Sequence, residues 1–196
     1  MFQALEYNLP HGKRIRGLLV VLSYMYFSNG NNNRLRMANL IGWVIELVIF
    51  KLLIFKLQAS FLIHDDIIDE ASTRRGQPCW YQTQKAQHGL IAINDGLLMY
   101  IATYRLLKKI LIPEEEYEVI YHKIRDVFED CSYRTCIGQT LDVLSSFSAN
   151  PGKTFPCEMH SFEDRLNAIS AWKTAHYSFI LPVYCGMILV KPHYYS

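Results

Sequence analysis

Long apolar segments with helical spacing, broken at few points by glycine or proline, leave this sequence little choice but to fold as helices. Residues 14–28, 35–68, 90–110, 114–147 and 161–190 each carry apolar side chains at helical intervals. Between them, 29–33 (NGNNN) is a turn signal, Ile112-Pro113 closes the third segment, and 148–156 reads as a loop rich in Ser, Asn, Gly and Pro. Acidic residues open the last two segments, where the positive end of a helix dipole favours them. Residues 71–89, with Gly76, Pro78 and several glutamines, read as one more loop. No alternating strand pattern stands out, so the expected fold is all-α, a single domain over residues 1–196.

Composition narrows the partners. Hydrophobic residues make up 51% of the 196 and charged residues 19%, below the roughly 25% usual in soluble domains, which excludes disorder and implies a large core. Lys and Arg total 20 against 18 Asp and Glu, too even a balance for a nucleic-acid-binding coat. The five cysteines (Cys79, Cys131, Cys136, Cys157 and Cys185) form no C-x-x-C pair and read as reduced thiols of a cytoplasmic protein. Two apolar stretches invite a membrane reading. Glu46, Lys51 and Lys56 interrupt residues 40–63, and His176 and Pro182 fall within 174–190, so both are expected to be buried helices rather than spans.

The chemistry gathers at His64-Asp65-Asp66-Ile67-Ile68-Asp69, the end of a helix otherwise made of Leu, Ile and Phe. Asp65 and Asp69 stand four apart and share one face, with Asp66 about 100° round. Stacked carboxylates suit a hard divalent cation, Mg²⁺ or Mn²⁺ in its place, which takes one or two protein oxygens and completes its shell with water and phosphate. Four residues on, Thr73-Arg74-Arg75-Gly76 offers two guanidiniums whose forks match phosphate oxygens. Lys13, Arg14 and Arg16 form a second basic group at a helix start, and Lys173 is a third cation beside Thr174. Carboxylates for a metal and separate sets of phosphate-binding cations describe a site for two polyphosphate-bearing substrates, and the apolar helix faces around them would suit hydrocarbon tails. Other readings fit less well: Gly12-Lys13 is not a Walker A loop, and His11, His88 and His122 lack the pattern of a helical metal phosphohydrolase.

These residues carry a family resemblance. YNLPHGKRIRGLLVV, LQASFLIHDDIIDEASTRRGQPCWYQ, AINDGLLMYIATYRLLKK, IGQTLDVL and KTAHYSFILPV, in that order, resemble the first half to two-thirds of a farnesyl diphosphate synthase, a class I trans-prenyltransferase. The resemblance implies an isoprenoid-synthase helical bundle, incomplete at the C-terminus because the family's second aspartate-rich motif has no counterpart here. It implies that Asp65, Asp66 and Asp69 bind Mg²⁺. Arg74, Lys173 and Thr174 would hold the allylic diphosphate, and Lys13, Arg16, Gln58 and Arg75 isopentenyl diphosphate. Gln139, Asp142 and Tyr177 would line the site. A homodimer is implied as well.

Three departures from the family pattern stand out. Ser60, beside Phe61 and five before Asp65, replaces an aromatic of farnesyl-producing members and predicts a deeper tail pocket with products beyond C15. His11 replaces a glycine before Gly12-Lys13. Residues 48–56 have no counterpart and read as an insertion. Two other classes compete with the synthase reading: a non-catalytic helical subunit that binds diphosphate or a partner synthase, and a tail-anchored membrane protein.

Overall fold

A computed structural model describes residues 4, 7, 15–46, 57–112, 116–148 and 161–192. Their order is α1 (Ile15–Phe27), α2 (Leu35–Glu46), α3 (Leu57–Ile68), a hairpin of β1 (Thr73–Arg74) and β2 (Gln77–Pro78), α4 (Trp80–His88), α5 (Ile91–Leu111) and α6 (Tyr117–Ser148). A last rod follows: α7 (Phe162–Ile169), a π-helix (Ser170–Ile180) and α8 (Leu181–Val190). The all-α expectation holds.

Local chemistry sets the ends of these elements. Ser161 caps α7 through its hydroxyl, which accepts from Asp164 N, and Glu163 and Asp164 occupy the first turn. The π-helix has a cause in Pro182. Proline lacks an N–H and its ring crowds the carbonyl four residues back, and the wider i→i+5 winding just upstream absorbs both, with Leu181 N donating to His176 O.

Two expectations need correction. Residues 71–89 are not one loop: they hold the hairpin and all of α4. Nor do residues 35–68 form one straight helix. A continuous helix would hold Glu46 and Leu57 about 16 Å apart, yet α2 and α3 pack against each other. The insertion at 48–56 lies outside the described residues.

The main core joins both ends of the chain. Val20 and Tyr24 of α1, Ile41 and Ile45 of α2, Leu107 and Leu111 of α5, Ile124 and Phe128 of α6, and Leu181, Cys185 and Ile188 of the last rod form one buried cluster. Helix α1 lies tightly along α8, since a Cβ on Gly186 would come within 2.7 Å of Tyr24 N. A second, smaller cluster packs Ala59 and Ile63 of α3 against Trp80, Tyr81, Ala92 and Met99. It seats the hairpin beside the end of α3. No helix among the described residues is long and apolar enough to cross a membrane.

Candidate active site

Helix α3 delivers its carboxylates to two different neighbours. Asp66, only 2% exposed, turns toward the hairpin, where Arg74 Nε donates to its Oδ1 at 2.6 Å. Arg74 Nη2 reaches Asp65 Oδ2 at 2.7 Å, so one guanidinium bridges both acids. The hairpin holds that guanidinium firmly. Arg75 and Gly76 take φ of +55° and +79°, the left-handed pair of a tight two-residue turn, and Arg74 pairs with Gln77. Beneath it, Trp80 Nε1 donates to the buried Asp95 at 3.0 Å, and Tyr7 OH donates to Pro78 O at 2.8 Å. Arg75 itself stands exposed at the tip.

From the opposite side comes Lys173, on the π-helix. Its Nζ lies 3.0 Å from Asp65 Oδ1 and forms an ion pair with Asp142 of α6. The backbone there approaches α6 so closely that a Cβ on Gly138 would fall 2.1 Å from Lys173 N. Gln139, the next residue, donates to Asp69 Oδ1 at 3.4 Å. Asp65, Asp66, Asp69, Arg74, Gln139, Asp142 and Lys173 are therefore brought together from four elements and the turn after α3.

Burial sets the proton affinities. It raises the Asp66 carboxyl above its ordinary value despite Arg74, and it raises Asp69 with help from the charge of Asp65. Burial alone would lower Arg74 and Lys173, but the carboxylates outweigh it and both are raised, so both remain cationic. Burial and the Asp66 charge push the Cys79 thiol up to about 11, leaving a neutral donor to Asp66.

Next to this cluster opens a cavity of about 630 Å³. Asp65, Lys173 and Gln139 line it together with Ser60, Phe61, Leu97, Tyr100, Thr174 and Tyr177. The wall from α6 carries Ser132, Thr135 and Thr140, yet it is less polar than its composition. Their hydroxyls donate back to Phe128 O at 2.7 Å, Cys131 O at 2.7 Å and Cys136 O at 3.1 Å. Their carbon atoms are left to face the cavity. Phe61 meets Tyr177 edge to face at 5.8 Å, closing the cavity against the π-helix.

The remaining residues singled out in the sequence stand outside the carboxylate cluster. Arg16 donates to Ser178 Oγ at 2.7 Å and sits 4.7 Å from the Tyr177 ring centre, tying α1 to the π-helix. Gln58 is half-buried on the first turn of α3. Lys13 and His11 lie outside the described residues. Sequence reasoning did not single out Ser178, Gly138 or the Trp80–Asp95 pair. A glycine in the middle of a 32-residue helix was the available signal for Gly138.

The donors fit a hard cation. Asp65 Oδ1 is shielded from solvent and, apart from its ion pair with Lys173, has no hydrogen-bond partner. Among the described residues no three His, Cys, Asp or Glu side chains enclose a metal by themselves. Mg²⁺ does not need such an enclosure, because water and phosphate oxygens complete its octahedron.

Comparison with known proteins gives the family and the fold. The polyprenyl synthetase family model matches residues 1–195. Farnesyl pyrophosphate synthase of Bos taurus is 40% identical over 191 residues, 95% of this chain and 48% of its own length. The Gallus gallus farnesyl pyrophosphate synthase is 39% identical over 191 residues, 96% of this chain and 47% of its own. The crystal structure of T. brucei farnesyl diphosphate synthase superposes with a TM-score of 0.72 at 28% identity, covering 97% of this chain and 53% of that one. The chain spans about half the length of the curated relatives it matches.

Proposed function

Because the chain belongs to the polyprenyl synthetase family, we propose that it carries the allylic half-site of a prenyl-chain-elongating enzyme, which condenses isopentenyl diphosphate with dimethylallyl or geranyl diphosphate. The observation that carries this reading is the convergence of Arg74 and Lys173 on Asp65 at an apolar-walled cavity. Cations at the rim and hydrocarbon-compatible walls below match a molecule charged at one end and apolar along the rest.

Asp65 and Asp69, with Asp66 beside them, would hold Mg²⁺ or Mn²⁺, which when bound neutralises charge on the departing diphosphate. Arg74, Lys173 and Thr174 hold that diphosphate, and the two cations stabilise the charge it gains as the allylic C–O bond ionises. Lys13, Arg16, Gln58 and Arg75 serve isopentenyl diphosphate, whose double bond attacks the allylic cation before a proton is lost. Gln139, Asp142 and Tyr177 line the site. Phe61, Tyr100 and Tyr177 keep water from the cation. No side-chain nucleophile is required.

Ser60 is buried and lines the cavity, so the pocket extends past the place an aromatic would close, and products longer than C15 are expected. Ile91, Leu98 and Ile101 stand exposed along one face of α5 and support self-association as a homodimer, which light scattering would detect. A cytoplasmic location belongs to the same proposal. The deciding experiment supplies the chain with Mg²⁺, geranyl diphosphate and isopentenyl diphosphate and analyses the products by mass spectrometry. Elongated prenyl diphosphates support the proposal. Binding of both substrates without turnover would assign the chain a non-catalytic role, and C15 alone would refute the deeper pocket.

A further inference from the structure

Both oxygens of Asp65 face a cation of the chain itself. Oδ2 is held by Arg74 at 2.7 Å, and Oδ1 lies 3.0 Å from Lys173 Nζ, which also grips Asp142. Lys173 is only 23% exposed, so solvent screens this contact far less than a surface pair. Its backbone cannot withdraw, since it rests against Gly138, and only the side chain is free to change partners. A divalent cation arriving alone meets this ammonium beside the oxygen it needs. A diphosphate arriving alone meets four carboxylates, Asp65, Asp66, Asp69 and Asp142. Together, each removes the obstacle to the other.

We propose that Lys173 is a gate on the metal site: its ammonium occupies Asp65 and Asp142 until a diphosphate draws it away and opens Asp65 to the divalent cation. This deepens the proposed function and rests on its reading of Asp65 as a metal ligand. By linkage, metal and diphosphate each tighten the binding of the other by the same factor.

Mn²⁺ titration of the full chain without diphosphate, followed by water-proton relaxation, tests the gate. Lys173→Gln removes the ammonium and is expected to tighten Mn²⁺ binding by at least about fivefold, a typical coupling between linked sites. Lys173→Arg keeps the charge and is expected to leave binding weak. Equal or weaker binding by Lys173→Gln, or equal tightening by Lys173→Arg, overturns the gate. If Lys173→Gln does not fold, the unaltered chain still decides: inorganic sulfate, which chelates Mn²⁺ weakly, should tighten Mn²⁺ binding severalfold, and no change overturns the gate. Mn²⁺ binding that survives Asp65→Asn undiminished would instead sink the metal reading of Asp65, and the gate with it.

Discussion

Arg74 Nε lies 2.6 Å from Asp66 Oδ1, and burial still raises the Asp66 carboxyl above its ordinary value. The carboxylate is 2% exposed, so desolvation outweighs a guanidinium in contact with it. The pair is a device for aiming Arg74, held at some cost to stability. Arg74→Ala would leave that buried charge without its partner. Urea unfolding is expected to show a loss of about 2–3 kcal/mol, because Arg74 is itself partly solvated.

The same carboxylate gives a pH signature. A carboxyl whose folded pKa is raised binds its proton more tightly in the folded state, so it contributes stability at low pH and loses it as pH rises from 3.8 through the folded value. Unfolding free energies measured across that range should show wild type losing ground to Asp66→Asn as pH increases. The opposite slope would mean that the Arg74 attraction dominates. Lys173 shows the same sign in a higher window: its raised pKa contributes stability that is full below 10.5 and is lost as pH rises through the folded value.

Gly138→Ala places a methyl 2.1 Å from Lys173 N, where backbone rather than a flexible side chain must yield. The expected cost is about 1–3 kcal/mol of stability. Lys173 should also be displaced from Asp65 and Asp142, weakening inorganic pyrophosphate binding measured by calorimetry. In a Lys173→Gln background the same substitution should weaken pyrophosphate binding no further.

Ser60→Phe adds an aromatic ring to the lining of the cavity. Product analysis should show the distribution shifting to shorter chains, with the unit-by-unit limit reached earlier than in wild type. An unchanged distribution would place the tail elsewhere.

Removal of divalent metal with EDTA should abolish turnover while moving the thermal midpoint by less than about 2 °C. Asp65 and Asp66 are already paired with Arg74 and Lys173, so the fold does not depend on the metal for their neutralisation.

Asp95→Ala leaves Trp80 Nε1 without its acceptor beneath the hairpin. A loss of about 1–3 kcal/mol is expected on unfolding. Reduced pyrophosphate affinity would follow if the hairpin no longer aims Arg74, and calorimetry would detect it.

The helices and the acidic end of α3 were legible because the sequence states them locally. Apolar spacing marks a helix within one or two turns, and three aspartates on an apolar rod demand a partner wherever the rod goes. The residues around Arg74 were legible as a cation pair but not as a hairpin, because two residues per strand are too few to show alternation. Helix α4 was masked by Gln82, Gln84 and Gln87, whose polarity suits a surface helix as readily as a loop. The π-helix left only Pro182 as its mark.

The sequence alone therefore determined the longer apolar helices, though not α4 or the π-helix, and that Asp65, Asp66 and Asp69 lie at the end of an apolar helix, since backbone periodicity depends on near neighbours. Tertiary structure decided which acid each cation takes. Asp66 goes to Arg74, Asp65 is shared with Lys173 from 108 positions away, and Arg16 is engaged by Ser178. The Lys173 pairing depends on how closely α6 and the last rod approach at Gly138, and no local pattern encodes a distance between segments so far apart along the chain.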